Sequence, residues 1–133
     1  MAGTGGQRPL ELILARNLLA SLSTPALLVN RGGDIVFFND AASVLLAKRF
    51  EETGPMSAAD WTQMFGPLDE DGQPIPVERQ PLAEILRRNR PGHARERIRS
   101  CDGAEHRIAV SGLPIVGNDG SQGAMLFFWA EDA

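Results

Sequence analysis

The sequence predicts an α+β fold: a five-stranded antiparallel sheet with helices on one face and an N-terminal helix covering the other face or a dimer partner. Three observations lead there. Two short apolar runs flank Gly32-Gly33, helical segments follow, and three longer alternating runs close the chain. In the last run, Met125, Phe127 and Trp129 point one way while Ala124, Leu126 and Phe128 point the other. A strand that is apolar on both faces is covered on both and belongs in the middle of a sheet. The segment beginning at Pro9 carries too many leucines for a helix with one buried stripe.

Residues 1–8 are rich in glycine, show no apolar period and are read as a flexible start outside the fold. Residues 9–22 form an amphipathic helix, with Pro9 where a first helical residue can lack its amide. One face carries Leu10, Ile13, Leu14, Asn17 and Leu18 and is assigned to this domain's own sheet. The second carries Leu12, Leu19 and Leu22 and is expected to meet the same helix of a second copy, Leu12 and Leu19 being one heptad apart.

The domain proper is expected over 23–133. Residues 26–30 and 35–38 pair as a hairpin, since glycine reaches positive φ at no steric cost in a two-residue turn. Asn39, or else Asp40, caps a helix over 40–49. Ser57 caps a short helix ending at Phe65, 69–76 is a polar loop, and a helix over 81–89 is stopped by Pro91-Gly92. Strands over 93–101, 105–116 and 124–130 are joined by Asp102-Gly103 and by a longer turn over 117–122.

The order Gly33-x-Ile35-x-x-x-Asn39-x-Ala41 resembles the first hairpin and following helix of PAS domains. Ser100 to Arg107, Leu113-Pro114-Ile115-Val116, Asn118-Asp119-Gly120 and Gly123 resemble the closing strands and turns of bacterial PAS sensors. The resemblance spans about Leu19 to Asp132. It implies the PAS fold, with the last strand central beside the first, and a non-enzymatic sensory module. Such a module dimerises and relays a ligand- or partner-induced change to an effector of kinase, phosphatase or cyclase type. The alternative is a ligand-free interaction module with a filled core. In PAS proteins an Asp-Ile-Thr signal leads into the effector; here Asp132 matches and the other two do not, so the chain reads as an excised piece or a free-standing domain.

At 133 residues, one domain with a real core is expected. The net charge of -4 argues against a dedicated nucleic-acid binder. A single cysteine, no Asn-x-Ser/Thr acceptor, no signal-peptide pattern and no apolar run of spanning length lead to a cytoplasmic expectation without membrane contact.

The space between sheet and helices is expected to be lined by Val29, Phe37, Leu45, Trp61, Met64, Leu82, Leu86, Ile108, Val110 and Phe127. It either encloses a small hydrophobic ligand or closes as an ordinary core. The indole N–H of Trp61 is its one polar anchor. The cofactor stays unknown. The Gly-x-Asn-Cys-Arg-Phe-Leu-Gln helix of flavin-binding PAS domains is absent, and the only histidines available to haem are His93 and His106. A pair between Cys101 and His106 is geometrically possible, but no third group completes an active site. The loop Asp69-Glu70-Asp71-Gly72 fails calcium-loop spacing, so no metal is assigned. Arg95, Arg97 and Arg99 alternate on one side of a strand, with Glu84, Glu96 and Glu105 nearby, and read as a solvated, salt-bridged surface.

Overall fold

The computed structural model describes residues 10–118 and 120–131. Pro9, the flexible start and Asp132 therefore lie outside the described residues. The chain runs α1 (Leu10–Ala20), β1 (Ala26–Asn30), β2 (Ile35–Phe38), α2 (Asp40–Leu46), α3 (Phe50–Thr53), α4 (Ala58–Phe65), a 3-10 turn (Val77–Arg79), α5 (Pro81–Arg88), β3 (Gly92–Arg99), β4 (Glu105–Gly117) and β5 (Gly120–Ala130).

The strands form one sheet in the order β2-β1-β5-β4-β3, all neighbours antiparallel, with the last strand central beside the first, as expected. Ala26 to Asn30 pair with Phe127 to Gly123. The β1–β2 turn has Gly33 at φ 90°, where a side chain would be strained.

Asn39 is the residue that caps α2, and Asp40 begins the helix. The buried Asn39 Oδ1 accepts from Ala42 N–H at 3.0 Å and from Ala26 N–H at 3.1 Å. The expected helix over 40–49 is instead interrupted: Ala47 takes a left-handed conformation, and Glu52 accepts from Arg49 N–H at 2.8 Å as α3 starts anew. Between β4 and β5 the ladder continues to the Gly117–Gly120 pair, shortening the turn expected over 117–122.

Two apolar layers lie on opposite faces of the sheet. Toward α2, α4 and α5, the core is built around Leu27, Val29, Phe38, Trp61, Phe65, Ile85 and Phe128. On the other face, Leu12, Ala15 and Leu19 of α1 pack with Ala26 and Leu28, joined by Leu22, Phe37 and Phe127. The guanidinium of Arg16 stacks 4.5 Å from the Phe37 ring centroid and 5.7 Å from that of Phe50, tying α1 to β2 and α3.

The helix faces are the reverse of the sequence assignment. Leu12 is 4% exposed and Leu19 0%, both against this chain's own sheet, while Leu10 is 65% and Leu14 58% exposed. The residues assigned to a second copy thus fill the domain's own layer, and the stripe of Leu10, Ile13, Leu14 and Leu18 faces outward. Both faces are apolar, so periodicity alone did not distinguish them.

Candidate functional site

The interior site lies where the helix layer meets the sheet. Trp61 from α4, Leu82 from α5, Ile108 and Val110 from β4, all expected there, line a small cavity. Gln80, Pro81, Leu27, Glu96, Ile98, Leu126 and Phe128 complete its wall. The other expected lining residues lie elsewhere. Phe37 and Phe127 belong to the layer under α1, because Phe38 and Phe128 take the interior positions in strands with a two-residue period. Val29, Leu45 and Leu86 pack in the helix-side core without lining the cavity, and Met64 is exposed on the outer side of α4.

The cavity holds about 30 Å³ of free space. That is room for a water, against the several hundred Å³ typical of sites for organic ligands. Its small size follows from how closely α5 lies on the sheet: a Cβ on Gly112 would sit 2.6 Å from Ile85 Cδ1 and 3.0 Å from Leu126 Cγ. The glycine lets the helix approach, and the approach leaves little void.

Two polar side chains enter this apolar space. Gln80 is buried, and its Nε2 donates to Thr62 Oγ1 at 2.8 Å and to the Ile75 carbonyl at 3.0 Å. Those bonds hold the segment before α5 against α4. Glu96 is 8% exposed, on the same face of β3 as Ile98. Among the described residues its carboxyl has no hydrogen-bond or ion-pair partner, and burial pushes its pKa up to about 7. Glu96 is therefore turned inward from the arginine surface on which the sequence places it, and only its edge borders the cleft that holds Arg95 and Arg97. The alternation that sends Arg95, Arg97 and Arg99 outward sends Glu96 inward, and that signal was available in the sequence. The Trp61 indole N–H also meets no acceptor among the described residues.

The remaining candidates are separated from the cavity. His93 contacts Ser111 Oγ through Nδ1 at 2.9 Å, across the β3–β4 pair. His106 contacts Ser100 Oγ through Nε2 at 3.1 Å, while Ser100 Oγ donates to Asp102 in a short hydrogen bond. Those hydrogen bonds lower the Asp102 pKa, the bond from Ser100 contributing most and that from Ala104 N–H next. Asp102 thus takes the serine hydroxyl, whereas a catalytic triad would have it orient the histidine, so the cluster is a hairpin clasp. The histidine engages Ser100 and not Cys101, which is exposed in the turn.

On the outer surface, Arg95 pairs with Glu131 at 3.3 Å and Arg97 with Glu105 at 3.9 Å. Asp69 Oδ1 accepts from the amides of Asp71 and Gln73, and no metal-ligating cluster occurs among the described residues. No described helix is long and apolar enough to cross a membrane.

Neither a family model nor a curated protein sequence matches the chain. Solved structures do. The PAS domain of Bordetella pertussis BvgS is 12% identical, with 92% of this chain and 87% of that one covered at a TM-score of 0.62. The PAS domain of nitrogen regulation protein NR(II) from Vibrio parahaemolyticus is 16% identical, covering 89% and 98% at 0.62. The Rhodobacter sphaeroides LOV protein is 11% identical, covering 93% and 69% at 0.70. The fold of this chain is that of a PAS domain, an α+β fold with a five-stranded antiparallel sheet.

Proposed function

We infer that this domain is a sensory and signalling module that associates with a second copy through the outward stripe of α1 and relays a change in its core to an effector. The observation that carries the reading is the stripe itself: Leu10, Ile13, Leu14 and Leu18 recur on one exposed helix face, backed by a helix already anchored to its own sheet. An exposed apolar patch on a small domain marks an interaction surface. Among the structural relatives, one is a PAS domain from a two-component sensor histidine kinase, which supports an effector of the kinase type over a phosphatase or cyclase. The reading contains no catalytic step and places the domain on the cytoplasmic side of any larger protein.

The ligand-free interaction module remains a second reading, favoured by the cavity of about 30 Å³. A small hydrophobic ligand enters only if the helix layer opens, and neither histidine lines the cavity to hold haem. Sedimentation equilibrium of the wild type and of Leu14→Asp tests the association. A wild-type dimer and a folded monomeric variant are expected. A wild type that stays monomeric, or a variant that still dimerises, overturns the proposed interface.

A further inference from the structure

We propose that Glu96 is an internal proton-binding site, and that release of its proton to bulk water is the input that loosens the helix layer from the sheet. The proposal rests on the signalling reading above and adds the signal to it.

The geometry sets two states against each other. With its proton, the carboxyl is neutral, can donate its O–H to a water in the adjoining cavity, and is compatible with the closed core. Without it, the carboxylate is a charge that requires hydration or a cation. On the interior side the cavity supplies neither, since its about 30 Å³ admits a water and not a hydration shell, and the proton leaves by the surface cleft that Glu96 borders on its other side. The interior faces of β1, β5, α4 and α5 present Glu96 with apolar groups, the Trp61 indole and the Gln80 amide; the interior face of β4 adds Ile108, Val110 and, opposite Ile98, His106, which does not line the cavity and is engaged by Ser100.

The surface cleft that Glu96 also borders holds Glu70, Arg95, Arg97, Arg107 and Glu131. Arg95 and Arg97 project to the opposite side of β3 and are engaged by Glu131 and Glu105. Arg107, opposite Arg97 in the ladder, shares that outward side, and burial is what raises the Glu96 pKa. On the interior side, ionisation of Glu96 and close packing of the helix layer thus oppose each other. The element free to yield is the contact of α4, α5 and the segment carrying Gln80 with β3, which lies at the edge of the sheet.

The chain has two tryptophans, Trp61 on the cavity and Trp129 on the other face of the sheet. In a Trp129→Phe background Trp61 fluorescence reports the cavity alone. Between about pH 5.5 and 8.5 a one-proton transition is expected, with Trp61 emission shifting to the red and acrylamide quenching rising as pH increases. Glu96→Gln in the same background should remove the transition and keep the low-pH spectrum throughout. A transition that survives in Glu96→Gln, or no transition in the parent, overturns the proposal. Carboxyl carbon-13 NMR on the wild type provides an independent reading: a Glu96 midpoint at the ordinary glutamate value also overturns it. The titration reports the core whether or not the chain dimerises, so its failure is distinct from failure of the α1 interface, which sedimentation reads separately.

Discussion

The side-chain amide of Asn39 donates to the Leu19 carbonyl at 2.9 Å, so the residue that starts α2 also holds the last turn of α1 on the opposite face of the sheet. The same Nδ2 donates to the Thr24 carbonyl at 2.9 Å, and its Oδ1 serves Ala26 and Ala42. One buried amide thereby joins the helix with the exposed stripe, the first strand and the helix layer over the cavity. A change in that layer has a short mechanical route to α1.

Asn39→Ala removes all four bonds and leaves buried backbone groups unpaired, for an expected loss of roughly 3 kcal/mol by urea denaturation. Asn39→Asp keeps the acceptor bonds to Ala26 and Ala42 but turns a carboxylate toward two carbonyls. In that variant hydrogen exchange should speed up at the end of α1 more than at the start of α2. Equal protection at both ends would refute the coupling.

Arg16 should anchor α1 through its stacking on Phe37 and Phe50. Arg16→Ala is expected to cost about 1 kcal/mol, with little dependence on salt because the partners are aromatic rings. A cost that disappears at high salt would assign Arg16 to ion pairing instead.

The two leucine faces of α1 make opposite predictions. Leu14→Asp changes a position exposed in the single chain and should leave stability within about 0.5 kcal/mol of wild type when both are compared at a concentration where the wild type is monomeric. Leu19→Asp puts a charge into a fully buried site and should abolish cooperative folding. Thermal unfolding followed by circular dichroism separates them, and similar melting of the two variants would reject the observed helix orientation.

Much of this architecture was legible in the sequence. Gly33 marked the hairpin, Asn39 the helix cap, and the two apolar faces of residues 124–130 the central strand, because each is a local requirement with few solutions. The orientation of α1 was not legible, since leucines at both spacings satisfy a helical period and only the shape of the sheet decides between them. Phe37 and Phe127 were misplaced for another reason: each adjoins a second phenylalanine, and a one-residue choice of face moves the ring across the sheet. The inward position of Glu96 was implied by its alternation with the arginines but masked by the charge of its neighbours.

Gly112→Ala tests how tightly α5 must sit. Its Cβ would meet Ile85 Cδ1 at 2.6 Å, and Leu126 Cγ and the Met125 carbonyl oxygen at 3.0 Å, so the Ile85 side chain must turn away and the strand and Leu126 must give by a few tenths of an ångström. A loss of about 2 kcal/mol is expected by urea denaturation, together with faster hydrogen exchange along α5. Unchanged stability would mean that Ile85 reorients without cost and that Gly112 does not set how closely α5 lies on the sheet.

The pH dependence of stability follows from Glu96, whose pKa is about 7 in the folded protein against 4.5 as the ordinary value. Below pH 4.5 both folded and unfolded chains hold the proton, and this group leaves stability unchanged. Between 4.5 and about 7 the folded chain holds a proton that the unfolded chain has released, so each rise in pH favours unfolding. Above about 7 both are ionised and the loss is complete, at about 3 kcal/mol in total. Glu96→Gln carries no such charge, so it should gain on the wild type across that window and keep the gain at pH 8. The check is the difference between the two urea-denaturation profiles from pH 4 to 8, in which contributions of other titrating groups cancel. A flat difference would mean that the Glu96 carboxylate finds a partner or water in the folded state, and the core would then accept the charge without opening.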